Sequence, residues 1–262
     1  MAVEHPEILW ENVFRLSGAT VSVSSEVAGN LKEKAYDYRP KSYWYTSAGG
    51  TQYLRVNCGA SRTIDMLCMM EHNLFSQTAT VKVWETNASW VHQGGVLGEK
   101  TPGSDEPFYL DCTSTSAQYF EVEFTGLDAA LFVGVIFLGE TLELPRNPGP
   151  GFNSNEQIAI GRNNRTMEGQ PVGTNVRYIA KPYNAQFFDL DITWVNDYLL
   201  PFLEDSYFAF LPFFLIPDKG TYSDRVYYMM APGDGSVIET PWDSIYQHFN
   251  FTCIGVRDSK FR

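Results

Sequence analysis

Residues 70–85 read MEHNLFSQTATVKVWE, and two readings of the chain part here. Glu71 beside His72 is either an acid–base pair or the entry to a turn that feeds a strand. The second half of the stretch favours the turn. Val81 and Val83 alternate with Lys82 and Trp84, the period of two that marks a half-buried strand. His72-Asn73 falls at the join, where asparagine takes turn geometry and bonds its own backbone. Leu74 is then free to drop back into a core. In extended chain, adjacent side chains point to opposite sides, so the turn is preferred to a catalytic Glu71–His72 pair.

Working outward, the first half of the chain reads as further short strands. ATVSVSS (19–25) alternates through Val21 and Val23. YLRVNCG (53–59) sets Leu54, Val56 and Cys58 against Tyr53, Arg55 and Asn57. TIDMLCMM (63–70) is apolar almost throughout, as a strand covered on both sides would be. QYFEVEFTG (118–126) turns Tyr119, Glu121 and Glu123 away from Phe120, Val122 and Phe124, and ALFVGVIFLG (130–139) closes the half as a buried strand. Many short strands broken by Gly, Asn, Ser and Pro predict a β-sandwich over residues 1–141.

LELPRNPGPGFNSNE (142–156) carries three prolines and two glycines and loses all apolar period, which predicts a linker. Beyond it, residues 157–262 predict a smaller β-rich domain with one helix. The run 175–195 supplies two alternating strands around Lys181-Pro182, with Phe188, Leu190, Ile192 and Trp194 on one face of the second. NDYLLPFLEDSYF (196–208) predicts the helix, capped by Asn196 or Asp197, with Pro201 in its first turn. Further strands are expected at 213–218, 224–231 and 246–256. The fold class is therefore mainly β.

Composition narrows the function. Nineteen basic residues against 31 acidic give a net charge of −12, which disfavours nucleic acid. The apolar runs 130–138 and 207–216 are too short to cross a bilayer as helices, and the N-terminus lacks the pattern of a secretory signal. A soluble protein made in a cytoplasm is the expectation. Cys58, Cys68, Cys112 and Cys253 show no metal-ligand spacing and predict buried free thiols. Asn87, Asn164 and Asn250 head sequences of the glycosylation type, read here as chance matches.

Candidate chemistry is sparse. No phosphate loop, nucleophile elbow or zinc-protease pattern occurs, and no cofactor or metal is expected. His5, His72, His92 and His248 have no ligand spacing. Asp189 and Asp191 share a strand face and would suit a glycosidase pair, but a solvated or subunit-facing strand edge is the preferred explanation. Trp84 and Trp90, with His92 between strand and loop, are the candidate glycan contacts, because an indole stacks on the C–H face of a sugar. Trp44 offers the same choice between core anchor and glycan contact.

Residues 19–138 resemble the galactose-binding-like (discoidin-like) jelly-roll domains of phage virion proteins. The resemblance runs through ATVSVSSEVAG, YDYRPKSYWYTSAGGTQYLRVNCG, IDMLCMMEHNL and ATVKVWE. The second half is similar to the C-terminal part of distal-tail-type proteins at the tail tip of long-tailed phages. It carries a GR…R loop, then DYLLPFLEDSY, FAFLPFFLIPD and VYYMMAPG…FNFTCIGV. The chain differs from that type in placing its jelly roll first. The resemblance implies a structural, non-enzymatic subunit of a tail tip or baseplate in the virion. It implies a homo-oligomeric ring contacting tail tube and hub proteins, with no membrane insertion. Arg162, Arg165, Phe213, Phe214 and Ile216 are then the candidate subunit contacts. The alternative is a carbohydrate-binding module that meets a host surface glycan. A β-sandwich hydrolase using Asp189 and Asp191, or Glu71 and His72, is the third reading.

Overall fold

The computed structural model describes residues 5–149, 158–168, 170–219, 225–233, 238–241 and 246–255. Its strands are β1 (Glu7–Leu9), β2 (Thr20–Val23), β3 (Trp44–Tyr45), β4 (Gly50–His72), β5 (Thr80–Thr86), β6 (Gly98–Lys100), β7 (Phe108–Leu127) and β8 (Phe132–Gly139). They continue as β9 (Leu142–Glu143), β10 (Ile158–Arg165), β11 (Pro171–Asp191), β12 (Phe213–Ile216), β13 (Tyr227–Met230), β14 (Ile238–Pro241) and β15 (Tyr246–Gly255). Two compact units emerge, Met1–Glu143 with Phe213–Val226, and Leu144–Pro212 with Tyr227–Arg262.

The first unit is a jelly-roll β-sandwich. Its strands run in the order β3-β8-β4-β7-β5-β6, with β2 also on β4. The two segments predicted at 53–59 and 63–70 are one strand, β4. Its register with β7 breaks between Asn57 and Arg62, and Gly59 at φ +76° provides the left-handed residue at that break. One half of β4 thus pairs with β2 and the far half of β7, the other with β8 and the near half. Leu54, Val56, Val81, Val83, Phe120, Val122 and Phe124 line one buried core, as their alternation predicts. Residues 66–70 are buried without a break.

Two sequence expectations are corrected here. Leu142–Glu143 is not linker: it pairs with β1 through Ile8↔Leu142, and Leu144 is buried. The remainder of the expected linker, from residue 150, lies outside the described residues. Phe213–Ile216 is not part of the second domain but pairs with β1, Leu9 opposite Phe214 and Glu7 opposite Ile216. Lys219 holds the same segment by ion pairs to Glu7 (2.6 Å) and Asp111 (2.5 Å).

In the second unit β11 pairs with β10 through its first part and with β15 through its second. Pro182 sits inside this strand. The β10 pairing ends at Ala180, so from there one edge of β11 requires no donor and proline fits. Farther on, a bulge between Phe187 and Leu190, with Asp189 at φ +54°, changes the parity of the strand. Phe187 and Leu190 are buried and Phe188 is exposed, against the expected shared face of Phe188 and Leu190.

The helix starts earlier than predicted. Asp191 caps it by accepting from the backbone N–H groups of Thr193 and Trp194. Ile192 and Trp194 are therefore helical. Two π turns, Val195–Leu199 and Leu203–Tyr207, flank Leu200–Phe202, so Pro201 lies mid-segment. Widened turns relieve the clash between a proline ring and the carbonyl one turn before it. No helix among the described residues is long and apolar enough to cross a membrane.

Candidate functional site

The solvent side of the first unit carries a polar and aromatic cluster where three strands lie side by side. Arg55 of β4, Glu121 of β7 and Trp84 of β5 stand in one row across the sheet. Tyr53, Glu123 and Lys82 form the next row, and Asn57, Tyr119 and Thr86 the row on the other side. Alternation puts all nine on the outer face.

The loop after β5 folds back over this face. Asn87 Oδ1 accepts from the N–H groups of Ser89 (2.9 Å) and Val91 (3.1 Å), and the Gln93 N–H donates to the Glu85 carbonyl (2.9 Å). The fold-back brings His92 opposite Thr86. Trp90 adopts φ +62°, a conformation costing an aromatic residue about 1 kcal/mol. That backbone lays its ring edge-on to Tyr119 (centroids 5.8 Å apart) and near the Arg55 guanidinium (5.3 Å).

The result is a roof over Glu121, which is only 3% exposed on what would otherwise be the wet face of the sheet. Arg55 Nε donates to one of its oxygens and His92 Nε2 donates to the other at 3.0 Å. The imidazole lies flat on the Trp84 indole, centroids 4.1 Å apart and planes 5° from parallel. Trp84 Nε1 donates to Glu123 (3.0 Å), which fixes the indole. Arg55 also stacks on Tyr53 at 3.7 Å. Among the described residues its terminal nitrogens make no hydrogen bond, so the guanidinium keeps donors for a ligand.

The cluster therefore combines a half-buried indole, an exposed imidazole stacked on it, a second half-buried indole and a held guanidinium. Such a surface takes a flat C–H face on its rings and hydroxyl groups on its nitrogens. Glu121 is positioned to hold the roof and not to meet a solute.

The remaining predicted residues lie elsewhere. Trp44 is fully buried, packs on Phe124 (6.2 Å) and donates to the Ser25 carbonyl (3.1 Å). It is a core anchor, and the glycan role proposed for it is withdrawn. Phe213, Phe214 and Ile216 are fully buried within the single chain, with Phe214 edge-on to Phe137 at 5.2 Å. They cannot present a subunit contact from there, because their apolar run is a covered strand. Arg162 and Arg165 belong to β10, and their side chains lie outside the described residues.

Glu71 and His72 part company as expected. Glu71 pairs with Lys41 (2.5 Å) and accepts from the Tyr43 hydroxyl (3.2 Å). His72 is buried, contacts the Glu106 carbonyl through Nε2 (3.1 Å) and accepts from the Leu74 N–H. Burial holds its pKa down at about 4, so the ring is neutral. Asp191 is the helix cap, and Asp189 stands exposed in the bulge.

The four thiols are unbridged. Cys58, Cys68 and Cys253 are buried, and burial raises all four thiol pKa values. Among the described residues no group of three or more His, Cys, Asp or Glu is placed to hold a metal ion.

Sequence reasoning found Trp84, Trp90 and His92 but missed Arg55 and Glu121 as members of the same site. The signal was present: both fall on the polar side of alternating strands. What was lacking was the register that sets them opposite each other.

No family model and no curated protein matches the chain. Several solved structures do in part. A Ruminococcus gnavus GH29 fucosidase in complex with fucose is 20% identical over 52% of this chain, with a TM-score of 0.42, and the match spans 28% of the fucosidase. Chitosan-binding module 1 of a Paenibacillus sp. IK-5 chitosanase/glucanase is 20% identical over 49% of this chain and 98% of its own, with a TM-score of 0.41. A Clostridium perfringens module in complex with GalNAc-β-1,3-galactose is 15% identical, covering 46% and 94%, at 0.40. Likenesses of this strength carry no argument about this chain.

Proposed function

We propose that the first unit is a glycan-binding module and that the Trp84–His92–Trp90–Arg55 surface is its site. The observation that carries the proposal is the ring stack itself. His92 is laid parallel on Trp84 and held there by Glu121, so an aromatic surface is fixed before any ligand arrives. Pre-fixed rings lose little freedom on binding, which suits the weak contacts of sugars. The test is a glycan array probed with the whole chain, followed by titration of any hit. Trp90→Ala and His92→Ala should each weaken binding about tenfold or more, the loss expected for one aromatic contact. An array with no retained glycan, or hits that both variants bind unchanged, would remove the proposal.

We propose as a second reading the tail-tip subunit that the resemblance implies, non-enzymatic and assembled with copies of itself. One observation favours it. The second unit leaves Tyr198, Phe208, Phe210 and Leu211 exposed along one helical segment and its exit, and clustered exposed apolar side chains mark interaction surfaces. Detection of the chain in purified virions tests this reading, and its consistent absence from them would end it.

A further inference from the structure

The ring surface of the first unit holds hydrogen-bond donors that no other described residue uses. Arg55 spends Nε on Glu121, and its guanidinium is held 3.7 Å from the Tyr53 ring centroid and 5.3 Å from that of Trp90. Its two terminal nitrogens make no hydrogen bond among the described residues, and neither is buried without a partner, so both reach solvent. Trp90 Nε1 and the Tyr119 hydroxyl are in the same state. A guanidinium and an indole N–H only donate, and the guanidinium keeps its charge.

The acceptors beside them are already taken. Glu121 gives one oxygen to Arg55 and the other to His92. Asn57 Oδ1 accepts from the Gly59 N–H (2.9 Å) and from Gln118 Nε2 (3.0 Å). Trp90 leans on the row of Asn57, Tyr119 and Thr86, none of which is charged. Glu123 stands in the row on the other side of Glu121, with Lys82 opposite it on the next strand. Among the described residues, the Trp90 side of the surface therefore combines a permanent cation, a surplus of donors and no free carboxylate.

We propose that the glycan taken by this surface is an acidic one, whose carboxylate or sulfate meets the Arg55 guanidinium while a sugar ring lies on the neighbouring imidazole. The proposal rests on the glycan reading of the same site and adds the class of ligand. Glu121 sets the geometry. It holds the guanidinium by one oxygen and the imidazole by the other, so the two stand side by side. His92 has one face on Trp84 and is exposed, which leaves its other face for the ring. The two terminal nitrogens of a guanidinium match two oxygens of a carboxylate or sulfate in parallel bonds, which a single hydroxyl cannot supply. The chain as a whole, at −12, repels polyanions, so an acidic glycan is retained only through a local site.

Paired probes on an array, read with the whole chain, test this. They are sialyllactose and lactose, galacturonate oligosaccharides and their methyl esters, and galactose oligosaccharides with and without sulfate. In at least one pair the acidic member should bind about tenfold or more tighter than its neutral partner, the factor expected of a charge-assisted bond. The pairs that respond tell carboxylate from sulfate. Raising salt from about 50 mM to about 500 mM should weaken the acidic hits. Arg55→Lys keeps a cation beside Glu121 but loses the planar fork, so it should bind the acidic member about tenfold more weakly and the neutral member unchanged. Trp90→Ala should weaken both. Neutral members bound as tightly as their acidic partners, or bound alone, would overturn the acidic class and leave the glycan reading standing. An array without a hit removes both. Acidic hits that Arg55→Lys binds as wild type does would overturn the role given to the guanidinium, and an Arg55→Lys chain that fails to fold leaves the wild-type pairs to decide.

Discussion

Replacing Arg55 by methionine keeps an apolar stem close to that of arginine and removes the guanidinium with its charge. Among the described residues, Glu121 would then keep only His92 as a hydrogen-bond partner under its roof. Removing one member of a fully buried ion pair costs about 3–5 kcal/mol, because the other charge is left unpaired out of water. Arg55 is 20% exposed in its side chain and Glu121 4%, so solvent screens part of that cost and about 2 kcal/mol is the better figure. Loss of the guanidinium over Tyr53 adds about 0.5–1 kcal/mol. The expected total is about 3 kcal/mol, or a fall in melting temperature of about 6–12 °C for a unit of this size. Urea unfolding of the wild type, Arg55→Met, Glu121→Gln and the double variant measures both the cost and the coupling. Glu121→Gln should cost less, since the amide is neutral and still accepts a hydrogen bond. The double variant should cost clearly less than the sum, because methionine no longer strands a charge. A loss below about 1 kcal/mol for Arg55→Met, or strict additivity, would refute the claim that this pair organises the outer face.

Three further outcomes are expected. Gly139→Ala should destabilise by about 1–3 kcal/mol in denaturant titration, because the added methyl would collide with the Glu11 carbonyl oxygen and lie 3.2 Å from Leu9. Acid should act through His72: its pKa is about 4 in the folded chain against 6.5 unperturbed, so the unfolded chain binds the proton first. Its contribution is intact above about pH 6.5 and is lost as pH falls toward 4, up to about 3 kcal/mol. His72→Gln, compared with wild type in unfolding curves at both ends of that window, should remove this component of the acid sensitivity. Finally, thiol titration of the native protein near pH 8 should be slow at Cys58, Cys68 and Cys253, which are buried and held protonated, with all four reacting at once in denaturant. Fast reaction of the three buried thiols in the native state would contradict the packing described for them.

Much of the first unit was legible because sheet periodicity is local. Val81 and Val83 declare an inner face within five residues, and Phe120, Val122 and Phe124 do the same. The turn at His72-Asn73 was readable for the same reason. Less readable was β4, since Gly59 in a polar stretch looks like a strand end until its partner β7 continues past it. Parity failed in β11, where one residue at positive φ turned Leu190 to the buried side of Phe187 and left Phe188 outside. Trp44 was undecidable from its neighbours: Val133, far along the chain, pairs with it and closes the core around it.

Local pattern by itself determined that this is a β protein, which faces are apolar, and that Trp84, Trp90 and His92 stand near a strand end. Tertiary structure alone decided that Phe213–Ile216 returns to the N-terminal unit, and that Arg55 and Glu121, 66 residues apart, meet under those rings. The reason is physical. Side-chain alternation is written into each strand by backbone geometry, whereas register and strand order follow from which distant surfaces exclude water from one another.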